Sequence, residues 1–302
     1  MIYIATVMPH SEAQGPIVVT GATGAIGRRI VASLLEMGCS VRGISRSPET
    51  ASLPWGAEAV HGDLDDPSTM RSAFRSAAQL VLIAVPETVK EVLSHAKQQE
   101  IQHVVAISSA AVTAGYDTTY NAVVEDAVRR SGLEWSIVRP GEFATNSLLI
   151  WGPAIRTTRR VVEPFPEQTG HPIHEDDVAD VVVADLLNPQ RRGRIDTIIG
   201  PDSLTKREQV AAISEAVGEV ITLDEVTAME ARAFYLDQGG FAAANADFLF
   251  GFENYDGVEG AADGPHDTSA PDDDAYLTLD QVIGAPARTY QHWALDHTSD
   301  FR

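Results

Sequence analysis

The sequence predicts an α/β protein built on a doubly wound parallel sheet, with a smaller, mainly helical lobe after it. Between Ile17 and Arg139, short apolar runs rich in valine and isoleucine alternate with longer segments of helical periodicity. This alternation is typical of stacked β-α-β units. A glycine-rich turn separates the first apolar run from the first helical segment, and beyond Pro140 the rhythm changes to segments interrupted by proline and arginine.

The apolar runs give six strand candidates in the first half of the chain and one in the second. They cover residues 17–20, 41–44, 57–61, 80–85, 104–107, 135–138 and 195–199. After the first run, Ile26, Ile30 and Leu34 recur at helical spacing, and Gly38 stands where a helix would end. The order is therefore strand, glycine turn, helix, strand.

Helix starts in the second half are predicted from capping residues. Capping boxes are expected at Thr205-x-x-Glu208, Thr227-x-x-Glu230 and Thr278-x-x-Gln281, where hydroxyl and later side chain satisfy free amides of the first turn. Asp176 or Asp177 is expected to cap an apolar helix over 178–187.

Charge and composition restrict the class of partner. The 302 residues carry a formal net charge of −21, which disfavours nucleic acid and anionic membrane surfaces and favours a small-molecule substrate. The one cysteine, Cys39, excludes an internal disulfide. No stretch approaches the roughly 18 apolar residues of a membrane span, and residues 1–15 are interpreted as an extension of a cytoplasmic protein.

The glycine-rich turn Thr20-Gly-Ala-Thr-Gly-Ala-Ile-Gly27 predicts dinucleotide binding. Gly21 permits a tight turn, Gly24 lets the backbone approach a pyrophosphate, and Gly27 allows close helix packing. Free amides at the helix N-terminus attract the anion. The residues expected at the cofactor are Gly21, Thr23, Gly24, Ala25, Ile26 and Gly27. The alternative, a purely structural glycine turn, explains the strand–turn–helix context less well.

The end of the second strand predicts the cofactor type. An NAD-binding chain has an acidic residue there for the ribose 2′-hydroxyl, whereas this chain has Ser45 and Arg46. A guanidinium beside a hydroxyl suits a 2′-phosphate. We therefore expect NADP(H) to be preferred over NAD(H).

Together these motifs resemble the NmrA-like group of atypical short-chain dehydrogenase/reductases, which includes quinone-reductase-like and triphenylmethane-reductase-like enzymes. The resemblance extends from about residue 17 to the C-terminus. Besides the glycine turn, it rests on Gly62-Asp-Leu-Asp-Asp-Pro67, Ser108-Ser109, Glu125-Asp-Ala-Val-Arg129, Ser131-Gly-Leu-Glu-Trp135, Arg139-Pro-Gly141 and Ile173-His-Glu-Asp-Asp-Val-Ala179. It implies a Rossmann-type domain over 16–144 and a substrate lobe over 145–302 that is interleaved with the sheet.

The resemblance also implies further cofactor residues. Asp63 and Leu64 would lie against the adenine, and Ser108 and Ser109 with Pro140 and Gly141 near the nicotinamide. Ala84, Val85 and Pro86 would line the cofactor ribose. Without the resemblance, these residues follow successive parallel strands, at the edge where such sheets bind ligands. Ordinary loop residues remain the alternative for any one of them.

The proton-donating dyad of the wider superfamily, Tyr-x-x-x-Lys, is expected to be missing. A glutamate often follows that lysine by four residues, so anchoring on Glu125 places Asn121 and Asp117 in the lysine and tyrosine positions. Tyr116 and Tyr120 are the candidate catalytic donors nearby, without a lysine to lower either pKa. Such a site favours acceptors that take hydride readily.

Substrate contacts are expected from Phe143, Asn146 and Trp151, which follow the Arg139-Pro-Gly141 motif. An aromatic pair there could stack on a planar substrate, with ordinary core packing as the alternative.

No metal site is expected. Pro172 disturbs helical pairing of His171 with His174, and Asp272 to Asp274 lack the spacing of a calcium loop. There is no Gly-x-Ser-x-Gly motif to indicate a hydrolase.

The leading hypothesis is an NADP(H)-dependent oxidoreductase that passes hydride to a quinone-like or polycyclic aromatic acceptor. An NADP(H)-sensing regulator of the NmrA type, without turnover, is the alternative; there the acidic segment 253–275, expected to be a mobile loop, could contact a protein partner. An epimerase-like or cyclase-like tailoring enzyme on the same fold is a third. The sequence leaves a homodimer open.

Overall fold

A computed structural model describes residues 15–254, Gly257 and 275–302. The strands, in chain order, are β1 Ile17–Val19, β2 Val41–Ser45, β3 Glu58–His61, β4 Gln79–Leu82, β5 His103–Ile107, β6 Glu134–Pro140, β7 Arg160–Glu163, β8 Thr169–Gly170, β9 Ile195–Ile198, β10 Leu204–Thr205, β11 Thr222–Glu225 and β12 Tyr276–Leu277. The helices are α1 Ala25–Glu36, α2 Met70–Ala73, α3 Val89–Gln98, α4 Ala110–Thr113, α5 Asn121–Arg130, α6 Thr145–Ile150, α7 Gly152–Thr158, α8 Glu175–Leu187, α9 Lys206–Val217, α10 Ala228–Gln238, α11 Gly240–Ala244, α12 Ala246–Leu249, α13 Leu279–Ile283 and α14 Tyr290–Asp296.

The chain divides into two compact units. The first contains the described residues up to Pro140 together with Glu175–Ile198 and Leu279–Ala285, and the second contains the rest. In sequence, the second unit thus begins directly after β6. The chain later returns to the first unit, which includes α8 and β9.

The first unit is organised around seven parallel strands in the order β9-β6-β5-β4-β1-β2-β3. Chain order reverses beside β1, which pairs with β2 on one side and with β4 on the other. This arrangement confirms the predicted α/β class with a parallel Rossmann-type sheet. All seven predicted strands are present, with ends that differ by a few residues at most.

Burial on both faces explains the apolar strands. On one face, Val18, Leu80 and Val104 pack with α3 and α5 in a single core cluster. Helix α1 packs against α8, and its buried residues Ile30 and Leu34 lie on the stripe that the sequence predicted. A parallel sheet covered by helices on both faces needs such strands.

The second unit has helices and short strands. Its strands pair as β7 with β11 and β8 with β10, and these short strands were not predicted. Two predicted capping boxes are present, at Thr205 with Glu208 and at Thr227 with Glu230. Helix α13 begins directly after Thr278.

The predicted cap of α8 was wrong. The helix begins at Glu175, so Asp176 and Asp177 lie within its first turn and do not cap it. Three acidic side chains in a first turn interact favourably with the positive end of the helix dipole, which explains why the acidic run looked like a cap. The expected extension at 1–15 and acidic loop at 253–275 fall almost wholly outside the described residues.

Candidate cofactor site at the carboxyl edge of the sheet

The predicted cofactor residues of the first unit follow the carboxyl ends of six strands. Because the strands are parallel, these ends lie at one edge of the sheet. Gly21 to Gly27 follow β1, Ser45 and Arg46 end β2, Asp63 and Leu64 follow β3, Ala84, Val85 and Pro86 follow β4, Ser108 and Ser109 follow β5, and Pro140 ends β6. Gly141, the remaining one, is the first residue of the second unit.

The turn after β1 has the backbone geometry that its glycines predict. Gly21 adopts a left-handed conformation, with φ of +62°, which glycine populates without strain. The Gly24 amide donates to the Gly21 carbonyl at 3.0 Å, closing a tight turn. The Thr20 hydroxyl donates to the Ile83 carbonyl and accepts from the Ile83 amide at 2.7 Å, tying the end of β1 to the segment after β4.

Gly27 lies where no side chain fits. A Cβ atom added there would be 2.1 Å from the Gly21 carbonyl oxygen and 2.9 Å from the Ala22 Cα. These distances are far inside van der Waals contact, so helix α1 approaches the turn as closely as the pyrophosphate-binding mechanism requires.

The N-terminus of α1 is open to an anion. Gly24 precedes the first helical residue and provides no side-chain cap, and no acidic residue lies in the first turn. Thr23, Gly24 and Ala25 are exposed. Since the first amides of a helix have no partner within the helix, this end fits a pyrophosphate group.

At the end of β2, Arg46 is exposed, and its guanidinium makes no ion pair within the described part of the chain. The backbone beside it is held in place: the Ser47 amide donates to Ser45 Oγ at 3.1 Å, and His61 Nδ1 lies 3.2 Å from the Arg46 carbonyl oxygen. A fixed backbone with an uncommitted guanidinium suits a phosphate ligand.

The loop after β3 is fixed by its own side chains. Asp63 Oδ1 accepts the Asp65 amide at 3.0 Å, and the Asp63 amide donates to Thr69 Oγ1 at 2.8 Å. Asp63 and Leu64 are both partly exposed at this edge, as an adenine contact would require.

A buried ion pair lies behind the loop after β5. Arg139 in β6 donates from Nε to Glu125 Oε1 at 2.8 Å and from Nη2 to Oε2 at 2.6 Å. Ser108 Oγ donates to Glu125 Oε1 at 2.5 Å. Glu125 is fully buried and the Arg139 side chain is 15% exposed. The ion pair therefore holds the Ser108 hydroxyl in place through Glu125.

Glu125 and Arg139 belong to the motifs on which the family resemblance rests, but their contact was not predicted from the sequence. A signal was available, since Arg139 ends the apolar run Ser136-Ile-Val-Arg139 inside a buried strand. A charge in such a place must be paired, and Glu125 follows two valines in an amphipathic helix. The partner itself could not be found without the fold.

The two positions expected to replace the dyad contact each other. Asn121 Nδ2 donates to Asp117 Oδ2 at 2.7 Å, and Asp117 also accepts the Tyr120 and Asn121 amides at 3.0 Å. Asp117 is buried. It therefore holds the start of α5, a structural role for which a carboxylate is well suited.

Tyr116 and Tyr120, the candidate donors, are 41% and 47% exposed. Partial burial raises the pKa of Tyr120, and the nearby carboxylates of Glu87, Asp65 and Asp117 raise it further. A phenol in these surroundings is a weaker acid than tyrosine in water.

The predicted substrate residues belong to the second unit. Phe143 forms a parallel β-bridge with Ile173, and Asn146 lies in α6. Trp151 is 4% exposed and packs in the core of this unit. It shares that core with Tyr235. The surroundings of Trp151 are those of ordinary core packing, which is the alternative to stacking on a substrate.

We expect Glu163 to make the stability of the second unit depend on pH. Burial raises its pKa to about 7, despite the nearby positive charge of Lys206. A carboxyl with a higher pKa in the folded than in the unfolded protein stabilises the fold while protonated. We expect the free energy of unfolding to fall by up to about 3 kcal/mol between pH 4.5 and 7.

Urea titrations across this pH range measure the effect. Glu163→Gln should reduce the decline, and the part that remains below pH 6 belongs to Asp185, whose pKa burial raises to about 6. Glu167→Gln, at an exposed carboxyl, should leave the whole decline in place. An unchanged decline in Glu163→Gln would contradict this assignment.

The described residues contain no group of three or more His, Cys, Asp or Glu side chains arranged to hold a metal ion. None of the helices in this part of the chain is long and apolar enough to cross a membrane.

Comparisons with known proteins agree with this architecture. A family model described as NAD(P)H-binding matches residues 21–189. The chain is 30% identical to (4-alkanoyl-5-oxo-2,5-dihydrofuran-3-yl)methyl phosphate reductase of Streptomyces griseus, covering 94% of this chain and 99% of that protein. It is 26% identical to NAD(P)H azoreductase of Xenophilus azovorans, over 94% and 99% of the two chains.

Among solved structures, triphenylmethane reductase of a Citrobacter species in complex with NADP(H) shares the fold, with a TM-score of 0.73 at 18% sequence identity. The alignment covers 94% of this chain and 99% of that one. With the parallel sheet, the glycine turn and the family match, the chain belongs to the NAD(P)H-binding, NmrA-like group of atypical short-chain dehydrogenase/reductases.

Proposed function

We propose that the protein is an NADP(H)-dependent oxidoreductase that passes hydride to an activated, quinone-like or polycyclic aromatic acceptor. The observation that carries the proposal is the glycine turn, in which Gly27 leaves no room for a Cβ atom and α1 presents uncapped amides. Close packing of α1 on the turn together with free amides at its N-terminus is the arrangement that binds a pyrophosphate.

The preference for an activated acceptor follows from the weak proton donors. Asp117 and Asn121 are engaged with each other, and the acidic neighbours of Tyr120 oppose release of its proton. A simple ketone needs an efficient acid at its oxygen. An acceptor that becomes aromatic or loses a positive charge does not, so water can deliver the proton.

The sequence relatives support this class of acceptor. One is named for azo reduction. The other is named for a dihydrofuranone whose ring alkene carries two carbonyl groups. Neither of these two names describes a simple ketone as the acceptor.

When bound, NADP(H) would supply the hydride. The chain would hold the pyrophosphate at Gly21, Thr23, Gly24, Ala25, Ile26 and Gly27, and the 2′-phosphate at Ser45 and Arg46. Asp63 and Leu64 would contact the adenine, Ala84, Val85 and Pro86 the ribose, and Ser108, Ser109, Pro140 and Gly141 the nicotinamide side. Phe143, Asn146 and Trp151 stay the proposed substrate contacts.

The proposal is tested by NADPH consumption across quinones, azo dyes and triphenylmethane dyes. We expect turnover with at least one acceptor class and none with simple ketones. Tight NADPH binding without turnover of any acceptor would instead favour the regulatory alternative, with a protein partner that responds to the NADP(H) redox state.

Arg46→Ala tests the cofactor preference. Removal of a guanidinium that pairs with a phosphate should weaken NADPH binding by at least tenfold and leave NADH binding within about twofold, because only NADPH carries the 2′-phosphate. Fluorescence titration of both cofactors measures the change. Arg75→Ala, an exposed arginine in the loop before β4 and thus at the other edge of the sheet, is the matched control. Equal wild-type affinity for NADPH and NADH would refute the preference.

The double variant Tyr116→Phe/Tyr120→Phe tests the role of the candidate donors. If the acceptor is activated, kcat should fall by less than tenfold, since water replaces the phenols. A loss of a thousandfold with unchanged cofactor affinity would show that a tyrosine is the essential acid.

A further inference from the structure

The hydrogen-bond donors and acceptors around Ser108 determine the direction in which its hydroxyl points. A serine hydroxyl has one proton and two lone pairs, an ionised carboxylate only accepts, and a guanidinium only donates. Both oxygens of Glu125 face Arg139 donors. The Ser108 Oγ, 2.5 Å from Glu125 Oε1, therefore gives its proton to Glu125. Its lone pairs are left for any ligand.

This orientation is held by more than one contact. Arg139 also donates from Nη1 to Thr113 Oγ1 at 3.0 Å, and that oxygen lies 2.6 Å from Thr197 Oγ1. With Glu125 fully buried, a turn of the Ser108 proton toward a ligand would remove one of the two donors to a buried charged oxygen. Such a loss costs more than one ordinary hydrogen bond.

We propose that Ser108 acts at the carboxyl edge of the sheet as a hydrogen-bond acceptor, and that Glu125 and Arg139 are positioning residues that enforce this direction. The position therefore binds an N–H or O–H group and does not stabilise an oxygen that gains negative charge. This inference rests on the proposed function, since it concerns the same site. The donor could come from the nicotinamide carboxamide or from the acceptor substrate.

Matched ligand pairs tell the two sources apart. On the cofactor side, NADP⁺ is compared with its 3-acetylpyridine analogue, in which a methyl ketone replaces the carboxamide and no N–H remains. On the substrate side, 2-hydroxymethyl-1,4-naphthoquinone is compared with 2-methyl-1,4-naphthoquinone. The variants are Ser108→Ala and the conservative Ser108→Thr, which keeps the hydroxyl.

Ser108→Ala should weaken the donor-bearing member of one pair by about three- to tenfold, the loss expected for one hydrogen bond. The donor-free member should be unaffected, and Ser108→Thr should restore the difference. A change in the Kd of NADP⁺ assigns the donor to the carboxamide. A change confined to the KM of the hydroxymethyl quinone assigns it to the substrate.

Three results would overturn the inference. They are an equal loss for both members of a pair, no change for any of the four ligands, and a fall of more than tenfold in kcat for the donor-free quinone at unchanged KM. The last would identify Ser108 as a donor. If wild-type protein binds no NADP(H) at all, the proposed function fails instead.

Glu125→Gln tests the positioning role. An amide can donate to Ser108 and free its proton, so the discrimination within the affected pair should disappear although Ser108 is intact. A thermal melt shows whether this variant folds. If it does not, the Ser108→Ala and Ser108→Thr comparison still decides the inference. If folded Glu125→Gln still discriminates between the two ligands of the affected pair, Glu125 is not a positioning residue.

Discussion

Gly27→Ala should abolish measurable NADPH binding and lower the free energy of unfolding by about 3 kcal/mol. The added Cβ would meet the Gly21 carbonyl oxygen at 2.1 Å, and this contact is with backbone, which cannot rotate away. Because the same oxygen accepts the Gly24 amide, any shift that relieves the clash also opens the turn. Calorimetric titration with NADPH and a urea unfolding curve measure the two effects.

Gly38→Ala is the matched control. Gly38 follows the other end of α1 with φ of +76° and has nothing within 4 Å of an added Cβ. Its replacement should cost about 1 kcal/mol for the left-handed backbone and leave NADPH affinity unchanged. If Gly27→Ala bound NADPH as tightly as Gly38→Ala, the turn would not be the pyrophosphate site.

Arg139→Met should destabilise the protein by about 3–5 kcal/mol, because it leaves the buried Glu125 carboxylate without its charged partner. Methionine retains most of the side-chain volume, so the loss reports the charge and its hydrogen bonds more than a cavity. Chemical denaturation measures the change. Replacing both partners, as in Glu125→Leu/Arg139→Met, should recover part of the stability, since no uncompensated charge then remains.

Arg130→Met is the control for that experiment. Arg130 lies on the same helix as Glu125 and pairs with Asp126 at 3.0 Å, but its side chain is 79% exposed. Exposed pairs contribute at most about 1 kcal/mol, so this variant should unfold almost like wild type. Equal stability of Arg139→Met and Arg130→Met would show that the buried pair does not support the site.

The parts of the fold that could be predicted are those with strong periodicity. Strands such as Ile17–Val19 and His103–Ile107 are buried on both faces, so their sequences are almost wholly apolar. Helix α1 was predictable because Ile30 and Leu34 mark its buried stripe and Gly38 marks its end. These signals are local, and the parallel topology follows from their alternation.

The short strands of the second unit could not be predicted because their sequences lack such periodicity. Strand β8 has two residues and β11 reads Thr-Leu-Asp-Glu, without an apolar run. Such segments become strands through pairing with a distant partner, as Thr222 pairs with Arg160. Local sequence contains little of that information.

In the candidate site, too, some roles could be predicted from local sequence and others needed the fold. Gly21, Gly24 and Gly27 could be assigned roles because backbone geometry excludes other residues there. The contact of Ser108 with Glu125 joins the end of a strand to a helix 17 residues later, and only the fold brings them together. Asp117 was placed by register, whereas its role in holding the start of α5 needed the structure.

A single-turnover experiment tests the central claim most directly. Protein loaded with one equivalent of NADPH is mixed in a stopped-flow instrument with excess naphthoquinone, azo dye or triphenylmethane dye, and the nicotinamide absorbance is followed. We predict that the bound NADPH is oxidised within one turnover by at least one acceptor, orders of magnitude faster than NADPH free in solution. NADPH that binds stoichiometrically and stays reduced with every acceptor would contradict it.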